Sequence, residues 1–199
     1  MKPFPHIKYG FLIGYEFAKL IIGDKQNIDF EHFEYKYDGT FSIGLFLDNP
    51  ILLSDFSLHT EVYFAKHGYS FNTFVYNEDI DFVANLSSLK VPFLIKYAYP
   101  SNKIRPFINM GIVGTYFIKN ETLLYKTTIS ENTIEINDME KTSIINDIEI
   151  GYSIGGGIEY KLNFKNSLFF ELRYNNPYSG GDSEFLGIST FNVFTGKNF

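Results

Sequence analysis

Apolar residues recur at every second position along most of the chain, and small, polar or charged residues stand between them. In the first segment of this kind, apolar side chains occupy the odd positions from Ile7 to Phe17, whereas Lys8 and Glu16 stand at even positions. A period of two is that of a β-strand, because successive side chains point to opposite faces of the sheet. The sequence therefore predicts an all-β fold. Eight segments carry the alternation: Ile7–Phe17, Tyr37–Leu47, Phe56–His67, Leu89–Ala98, Phe107–Ile118, Ile148–Lys161, Leu168–Asn175 and Phe185–Phe199.

The alternation is irregular at two places. In the last segment, Phe191 and Val193 share one parity and Ile188 and Phe194 share the other, so the facing of this segment stays open. Pro92 lies within the fourth segment, and proline donates no hydrogen bond to a β-ladder. We expect a bulge or a local irregularity at that point.

The connections between the segments alternate between short and long. The short links are rich in the turn-forming residues Asn, Asp, Pro and Ser and cover residues 48–55, 100–103 and 163–166. The longer links cover residues 22–36, 71–81 and 120–147. Alternate links of an antiparallel meander lie at opposite ends of a barrel. We therefore expect one domain spanning residues 1–199, with plain turns at one rim and long loops at the other.

The two faces of the strands require different surroundings. One face carries Ile, Leu, Phe or Tyr at nearly every position, over segments of about 9 to 11 residues, the length that crosses hydrocarbon on a tilt. The other face carries charges in mid-strand, at Glu16, Glu61, Lys96, Glu159, Glu171 and Arg173. A membrane barrel turns its apolar face to lipid and keeps charges inside. The sequence therefore predicts an eight-stranded antiparallel up-and-down transmembrane β-barrel, with tyrosines near the strand ends as interfacial girdles.

The interior of an eight-stranded barrel is about filled by side chains, so we expect no diffusion pore. Charges that point into such an interior need partners. The candidate pairs are Glu61 with Lys96 on the adjacent strand, and Glu171 with Arg173, with Glu159 nearby. A structural salt-bridge network is the simplest role for these groups, and a proton path or a ligand site is the alternative.

Composition narrows the function classes. The chain has 199 residues, of which 19% are aromatic, and its net charge of −6 comes without a basic patch that would bind nucleic acid. The absence of cysteine excludes disulfides, thiol catalysis and thiolate metal sites. The first residues lack the apolar core of a secretory signal, so we expect either a cytosolic chain or a mature form whose signal peptide has been removed. A location in the outer membrane requires the mature form.

Two patterns invite a catalytic or nucleotide-binding interpretation, and each has a plainer explanation. Asp55, Ser57 and His59 share one strand face, but residues at i and i+2 lie about 6 to 7 Å apart, too far for a nucleophilic relay. The glycines at 155–157 lie within an alternating strand and not at a strand-to-helix turn, so they cradle no phosphate. We predict no catalytic residues and no bound cofactor.

The long links contain two charged segments. Glu31, His32 and Glu34 could bind a metal, but their spacing matches no established ligand pattern, so we predict no metal site. The acidic link 121–147 interleaves acidic and apolar residues, including Glu131, Ile134, Glu135, Ile136, Asp138, Met139 and Glu140. This link is expected either to extend the barrel wall as a hairpin or to dock a partner, since long loops on rigid scaffolds often carry recognition.

Four segments resemble, in order, parts of the PorT-like outer-membrane β-barrel family of Bacteroidota: Gly39–Leu47, Leu58–Gly68, Leu89–Tyr97 and Arg105–Gly111. In that family, a Glu followed by an aromatic residue and a Lys-x-Gly marks the third strand, and a Val/Ile-Pro with a Lys-Tyr marks the fourth. The counterparts here are Glu61, Gly68, Pro92, Lys96 and Tyr97. Phe199 is similar to the terminal aromatic residue by which outer-membrane barrels are handed to their assembly machinery.

The resemblance implies a barrel linked to protein secretion or to larger surface assemblies. We therefore predict a non-enzymatic outer-membrane anchor, scaffold or accessory subunit of a cell-envelope assembly, in contact with lipid and with protein partners. Neither nucleic acid nor a small-molecule ligand is an expected partner. A soluble or periplasmic lipocalin-like carrier of an apolar molecule is the alternative, and a membrane-embedded hydrolase is a more distant one.

Overall fold

The computed structural model describes residues 7–21, 34–37, 39–51, 55–75, 78–101, 103–130, 133–142, 147–163, 166–178 and 187–199. Ten β-strands lie in this part of the chain: β1 (Lys8–Ile21), β2 (Glu34–Tyr37), β3 (Gly39–Pro50), β4 (Phe56–Val75), β5 (Glu78–Ala98), β6 (Ile104–Ser130), β7 (Thr133–Thr142), β8 (Ile148–Lys161), β9 (Ser167–Pro177) and β10 (Gly187–Asn198). Within the same residues, no helix has the length and apolar character needed to cross a membrane.

Eight of these strands close an antiparallel barrel. Their order around the wall is β4, β3, β1, β10, β9, β8, β6 and β5, and β5 pairs with β4 to complete the ring. The first and last strands of the chain are neighbours, from Gly10 opposite Asn198 to Ile21 opposite Gly187. The prediction of an eight-stranded antiparallel barrel is confirmed.

The barrel turns its apolar face outward. On the outer face, Phe41 and Ile43 are 80% and 63% exposed. On the inner face, Glu16 and Arg173 are 0% and 1% exposed. Along β9, exposed and buried residues alternate from Ser167 onward. A carrier with an apolar interior would show the reverse facing, so the lipocalin-like alternative is wrong. The physical reason is that a strand has two faces, and only the face without charges can meet hydrocarbon.

The structure shows the facing of the last strand and the effect of Pro92, the two irregular places in the alternation. In β10, Phe191 points outward, whereas Ile188 and Phe194 are buried in the interior. The β4–β5 pairing keeps one register on both sides of Pro92. Within this ladder, Pro92 and Val91 have no partner on β4. The irregularity at the proline is therefore an interruption of the ladder and not a bulge.

Two long links predicted as loops are paired strands in the structure. Within residues 71–81, β4 continues to Val75 and β5 begins at Glu78, which lies opposite Val75. Within residues 120–147, β6 continues to Ser130 and pairs with β7, which confirms the hairpin interpretation of this segment. Pairing occurs because it satisfies the backbone N–H and C=O groups of these long segments. We call the paired backbone beyond the barrel the rim sheet, which comprises residues 34–37, 68–75, 78–85, 119–130 and 133–142.

Candidate functional site

The central cluster consists of Glu61, Glu171 and Arg173, which meet in the middle of the barrel. β4 and β9 are four steps apart in the ring of eight, so Glu61 and Arg173 face each other across the lumen. Arg173 Nη1 and Nη2 donate to Glu61 Oε2 and Oε1 at 2.5 and 2.6 Å, and Arg173 Nε donates to Glu171 Oε1 at 2.6 Å. The planar guanidinium matches a carboxylate with two parallel donors. One cation therefore joins two carboxylates and two opposite walls.

Two neighbouring strands make room for the central cluster and support it. Asn109 Nδ2 donates to Glu171 Oε1 at 2.9 Å. Gly155 lies opposite Asn109 on one side and Arg173 on the other. A Cβ at position 155 would lie 2.7 Å from Asn109 Oδ1 and 2.8 Å from Glu171 Oε1, closer than real Cβ contacts. The glycine therefore supplies the space that the large polar side chains fill.

A Gly155→Val variant is expected to lose about 1 to 3 kcal/mol of unfolding free energy, because the added carbons overpack the central cluster. The matched control is Gly114→Val, since a Cβ at Gly114 meets no atom closer than 4.0 Å. Urea unfolding in detergent micelles, followed by circular dichroism, measures both. Equal losses in the two variants would contradict the packing argument.

Lys96 belongs to a second cluster, near the short-turn rim. Lys96 Nζ donates to Asp48 Oδ2 at 2.9 Å, and Ser57 Oγ donates to Asp48 Oδ1 at 2.8 Å. The expected pair of Lys96 with Glu61 is therefore a wrong assignment. The β4–β5 register places Lys96 opposite Ser57, four residues before Glu61, which is about 13 Å along the strand.

His59 lies between these two clusters. Its Nδ1 is 3.1 Å from Asp48 Oδ1, and its Nε2 is 2.6 Å from Glu61 Oε1. The contact of Nε2 with Glu61 is a hydrogen bond, whereas Nδ1 has no hydrogen-bond partner among the described residues. The hydroxyl of Ser57 donates to Asp48, and Asp55 lies exposed at the rim. Ser57 and His59 therefore contact buried carboxylates and not each other, so these side chains do not form the acyl-transfer relay that their spacing superficially suggests.

The two other acidic residues of the predicted network have separate partners. Glu159 Oε1 accepts from Lys8 Nζ at 2.7 Å and from Ser167 Oγ at 2.5 Å. Glu16 Oε1 accepts from Lys90 Nζ, on the side of the barrel nearer the rim sheet. The structure thus brings three of the six predicted residues together and places the others in three further clusters of the same lumen.

Several partners of these charges were not among the predicted site residues. They are Lys8, Asp48, His59, Lys90 and Asn109. All except Asp48, which was assigned to a turn, lie within the segments predicted as strands and have the parity of the polar face. Inward parity is therefore the signal that identifies a lumen residue, but it does not identify its partner.

The remaining predictions concern residues outside the described part of the chain and its last residue, Phe199. Glu31 and His32 lie outside the described residues, as does the side chain of Glu34. Within the described part of the chain, no group of three or more His, Cys, Asp or Glu side chains could hold a metal ion. Phe199 lies beside Tyr9, with ring centroids 6.2 Å apart, and its backbone N–H donates to the Tyr9 carbonyl at 2.8 Å. Its role as an assembly signal stays a prediction.

Side chains fill the lumen between its two ends. Tyr63 packs edge-on against Phe194 at 5.3 Å, and Phe46 packs against Phe169 at 5.4 Å. A cavity of about 180 Å³ opens at the short-turn rim and is lined by both acidic and basic side chains. A second, smaller pocket of about 10 Å³ lies beside Lys90, toward the other rim. The arrangement binds the strands to one another across the interior.

Comparisons with known proteins agree with this geometry. The sequence profile of the family described as outer membrane protein beta-barrel domain matches residues 5–177. The chain belongs to this family. The family places the barrel in the outer membrane, where its apolar outer wall contacts lipid. A comparison with curated protein sequences finds no significant match.

Solved structures with a similar barrel include two outer membrane proteins. OprG from Pseudomonas aeruginosa is 14% identical, with 96% of this chain and 92% of that chain covered and a TM-score of 0.51. The outer membrane enzyme PagL is 13% identical, with 93% and 97% covered and a TM-score of 0.51. At these identities the likeness concerns the fold alone.

Proposed function

We propose that this outer-membrane barrel is a non-enzymatic anchor or scaffold that holds a protein partner of a larger envelope assembly through its rim sheet. The observation that carries the proposal is the continuation of β4, β5 and β6 beyond the barrel, where they pair with β2 and β7. A segment whose backbone is already paired in a sheet loses less conformational entropy on binding than an unpaired loop does. Longer connections of outer-membrane barrels face the outside of the cell, so we expect the partner on that side.

The interior favours anchoring over transport or catalysis. The charges of the central cluster are 2% exposed or less and are bonded to one another, so they present no free group to a substrate. Aromatic rings fill the lumen on both sides of this cluster. The resemblance to PorT-like proteins of Bacteroidota supports a link to protein secretion or surface-protein export within the same proposal.

Shortening the β6–β7 hairpin tests the proposal. Residues 123–141 are replaced by Asn-Gly between Thr122 and Thr142, which lie opposite each other in the ladder, because Asn-Gly closes a tight two-residue turn. The variant is expected to fold but to migrate as the barrel alone on native gels of cells cross-linked before mild-detergent extraction. The unaltered protein is expected to migrate in a larger assembly.

A second shortened hairpin tests the other half of the rim sheet. Replacing residues 73–80 by Asn-Gly between Asn72 and Asp81, also opposite each other, removes the tip of the β4–β5 hairpin. Heat-modifiable migration on denaturing gels shows whether each variant has folded. Retention of the full assembly by both folded variants would overturn the proposed anchoring through the rim sheet.

A further inference from the structure

We propose that the cavity at the short-turn rim binds a small monocarboxylate, with Arg105 as the principal donor to its oxygens. This rim lies at the end of the barrel opposite the rim sheet, so the inference is independent of the anchoring proposal. It departs from the sequence-based expectation that no small-molecule ligand binds. The cavity measures about 180 Å³, whereas a water molecule takes about 30 Å³ of liquid. A small organic anion therefore fits in it.

The two buried carboxylates of the cavity already have hydrogen-bond donors, three for Glu159 and two for Asp48. These donors are Lys8, Ser167 and Asn198 for the first, and Ser57 and Lys96 for the second. Neither carboxylate therefore needs Arg105 as a hydrogen-bond donor.

Arg105 lines the same cavity and keeps its donors free. Its Nη1 lies 3.6 Å from Glu159 Oε2, which is an ion-pair distance but too long for a hydrogen bond. A guanidinium carries five N–H donors in a fixed plane, and two of them can run parallel to the two oxygens of one carboxylate. Lys8 stands nearby with a single hydrogen bond to Glu159, so two of its three N–H groups remain for the same ligand.

Cations outnumber carboxylates around this cavity. Lys161 ends β8 at the rim, where partial burial, Arg105 and Lys8 lower its pKa and Glu159 raises it. Three cations therefore lie close together beside one carboxylate. Among the described residues that line the cavity or adjoin it in this way, the cations are Lys8, Lys96, Arg105 and Lys161, and the carboxylates are Asp48, Asp55 and Glu159. One positive charge is left over, and a bound monoanion would balance it.

The parts of the sequence next to this rim that lie outside the described residues contain no acidic residue. They are residues 1–6, which precede β1, and residues 52–54, 102 and 164–165 of the three short links. None of these is Asp or Glu, whereas Lys2 and Lys165 are basic. These segments therefore supply no side-chain carboxylate that could balance the extra cation.

Apolar side chains of the cavity select the rest of the ligand. Pro50, Phe56 and Ala98 line it beside the charged groups, so a short hydrocarbon chain would contact apolar surface. An ammonium group on the same ligand would leave the extra positive charge unbalanced, and a second carboxylate would reverse it. A monocarboxylate with a short alkyl chain satisfies both the charge and the lining.

Calorimetric titration with butyrate tests the inference. Butyrate is added to the folded barrel in a nonionic detergent, beside butyramide, which has nearly the same shape without the charge, and butylammonium, which has the opposite charge. We expect butyrate to bind about tenfold more tightly than either, the effect of losing a charge-assisted hydrogen bond. Equal affinities for butyrate and butyramide, or no binding of butyrate, would overturn the inference.

Three variants show whether the cavity is the site. Arg105→Met is expected to weaken butyrate binding about tenfold. Lys103→Met removes the same charge at the same rim, but Lys103 Nζ lies 5.4 Å from the centre of the Tyr160 ring and Lys103 does not line the cavity. We expect this control to keep its affinity within about twofold. Asp55→Asn is expected to tighten binding, because it removes a carboxylate from the lining.

The direction of the last change separates binding from damage to the fold, since a disturbed cavity would bind butyrate less well. Heat-modifiable migration on denaturing gels shows that each variant has folded. An equal loss in Arg105→Met and Lys103→Met, or weaker binding by folded Asp55→Asn, would count against the cavity as the site.

Discussion

An Arg173→Met variant is expected to lose about 3 to 5 kcal/mol of unfolding free energy, because it leaves two buried carboxylates without their cation. Arg173 is 1% exposed, and its guanidinium donates to both Glu61 and Glu171. Methionine has a similar length and fills much of the same volume, so the loss reports charge more than packing. Urea unfolding in lipid vesicles, followed by circular dichroism, measures it.

Neutralising the two carboxylates should restore most of that loss. In the triple variant, Glu61→Gln and Glu171→Gln accompany Arg173→Met, and the replacement of a buried ion cluster by neutral groups is often close to neutral for stability. Arg105→Met is the matched control, since Arg105 lies at the mouth, 3.6 Å from Glu159, with a side chain that is 19% exposed. We expect this control to lose less than about 1 kcal/mol. Equal losses for Arg173→Met and Arg105→Met, or no recovery in the triple variant, would contradict the network.

An Ile43→Arg variant is expected to lose about 2 to 4 kcal/mol in a lipid bilayer, because it places a charge on the outer wall near the middle of the hydrocarbon. Ile43 is 63% exposed and lies opposite Ile13 on β1 and Phe64 on β4, so apolar neighbours surround it. An exposed isoleucine on a water-facing wall would tolerate the same change with little effect. Unfolding by urea in phospholipid vesicles is the appropriate measurement.

The matched control for depth is Ile104→Arg. Ile104 is 52% exposed and begins β6 at the short-turn rim, where an arginine reaches the interface. The expected loss there is about 0 to 1 kcal/mol. A loss as large as that of Ile43→Arg would show that depth in the bilayer is not the cause.

Sequence-based prediction did not identify the partner of Lys96 or the strand pairing of the rim sheet. The inward facing of Lys96 followed from its parity, but its partner did not, because the β4–β5 register moves it about 13 Å away from Glu61. Residues 71–81 were predicted as a loop because they fell outside the regular alternation between apolar and polar residues. In the structure, residues 72–75 pair with residues 78–81, since backbone pairing does not require that alternation.

The sequence by itself determined the eight strands of the barrel, the inward or outward facing of nearly every barrel residue, and the solvent that the outer wall meets. These properties are local, because a strand alternates its side chains with a period of two and hydrocarbon accepts only the apolar face. The tertiary structure alone decided which charges pair. Glu61 and Arg173 are 112 residues apart along the chain, and only the closure of the ring and the stagger of its strands bring them together.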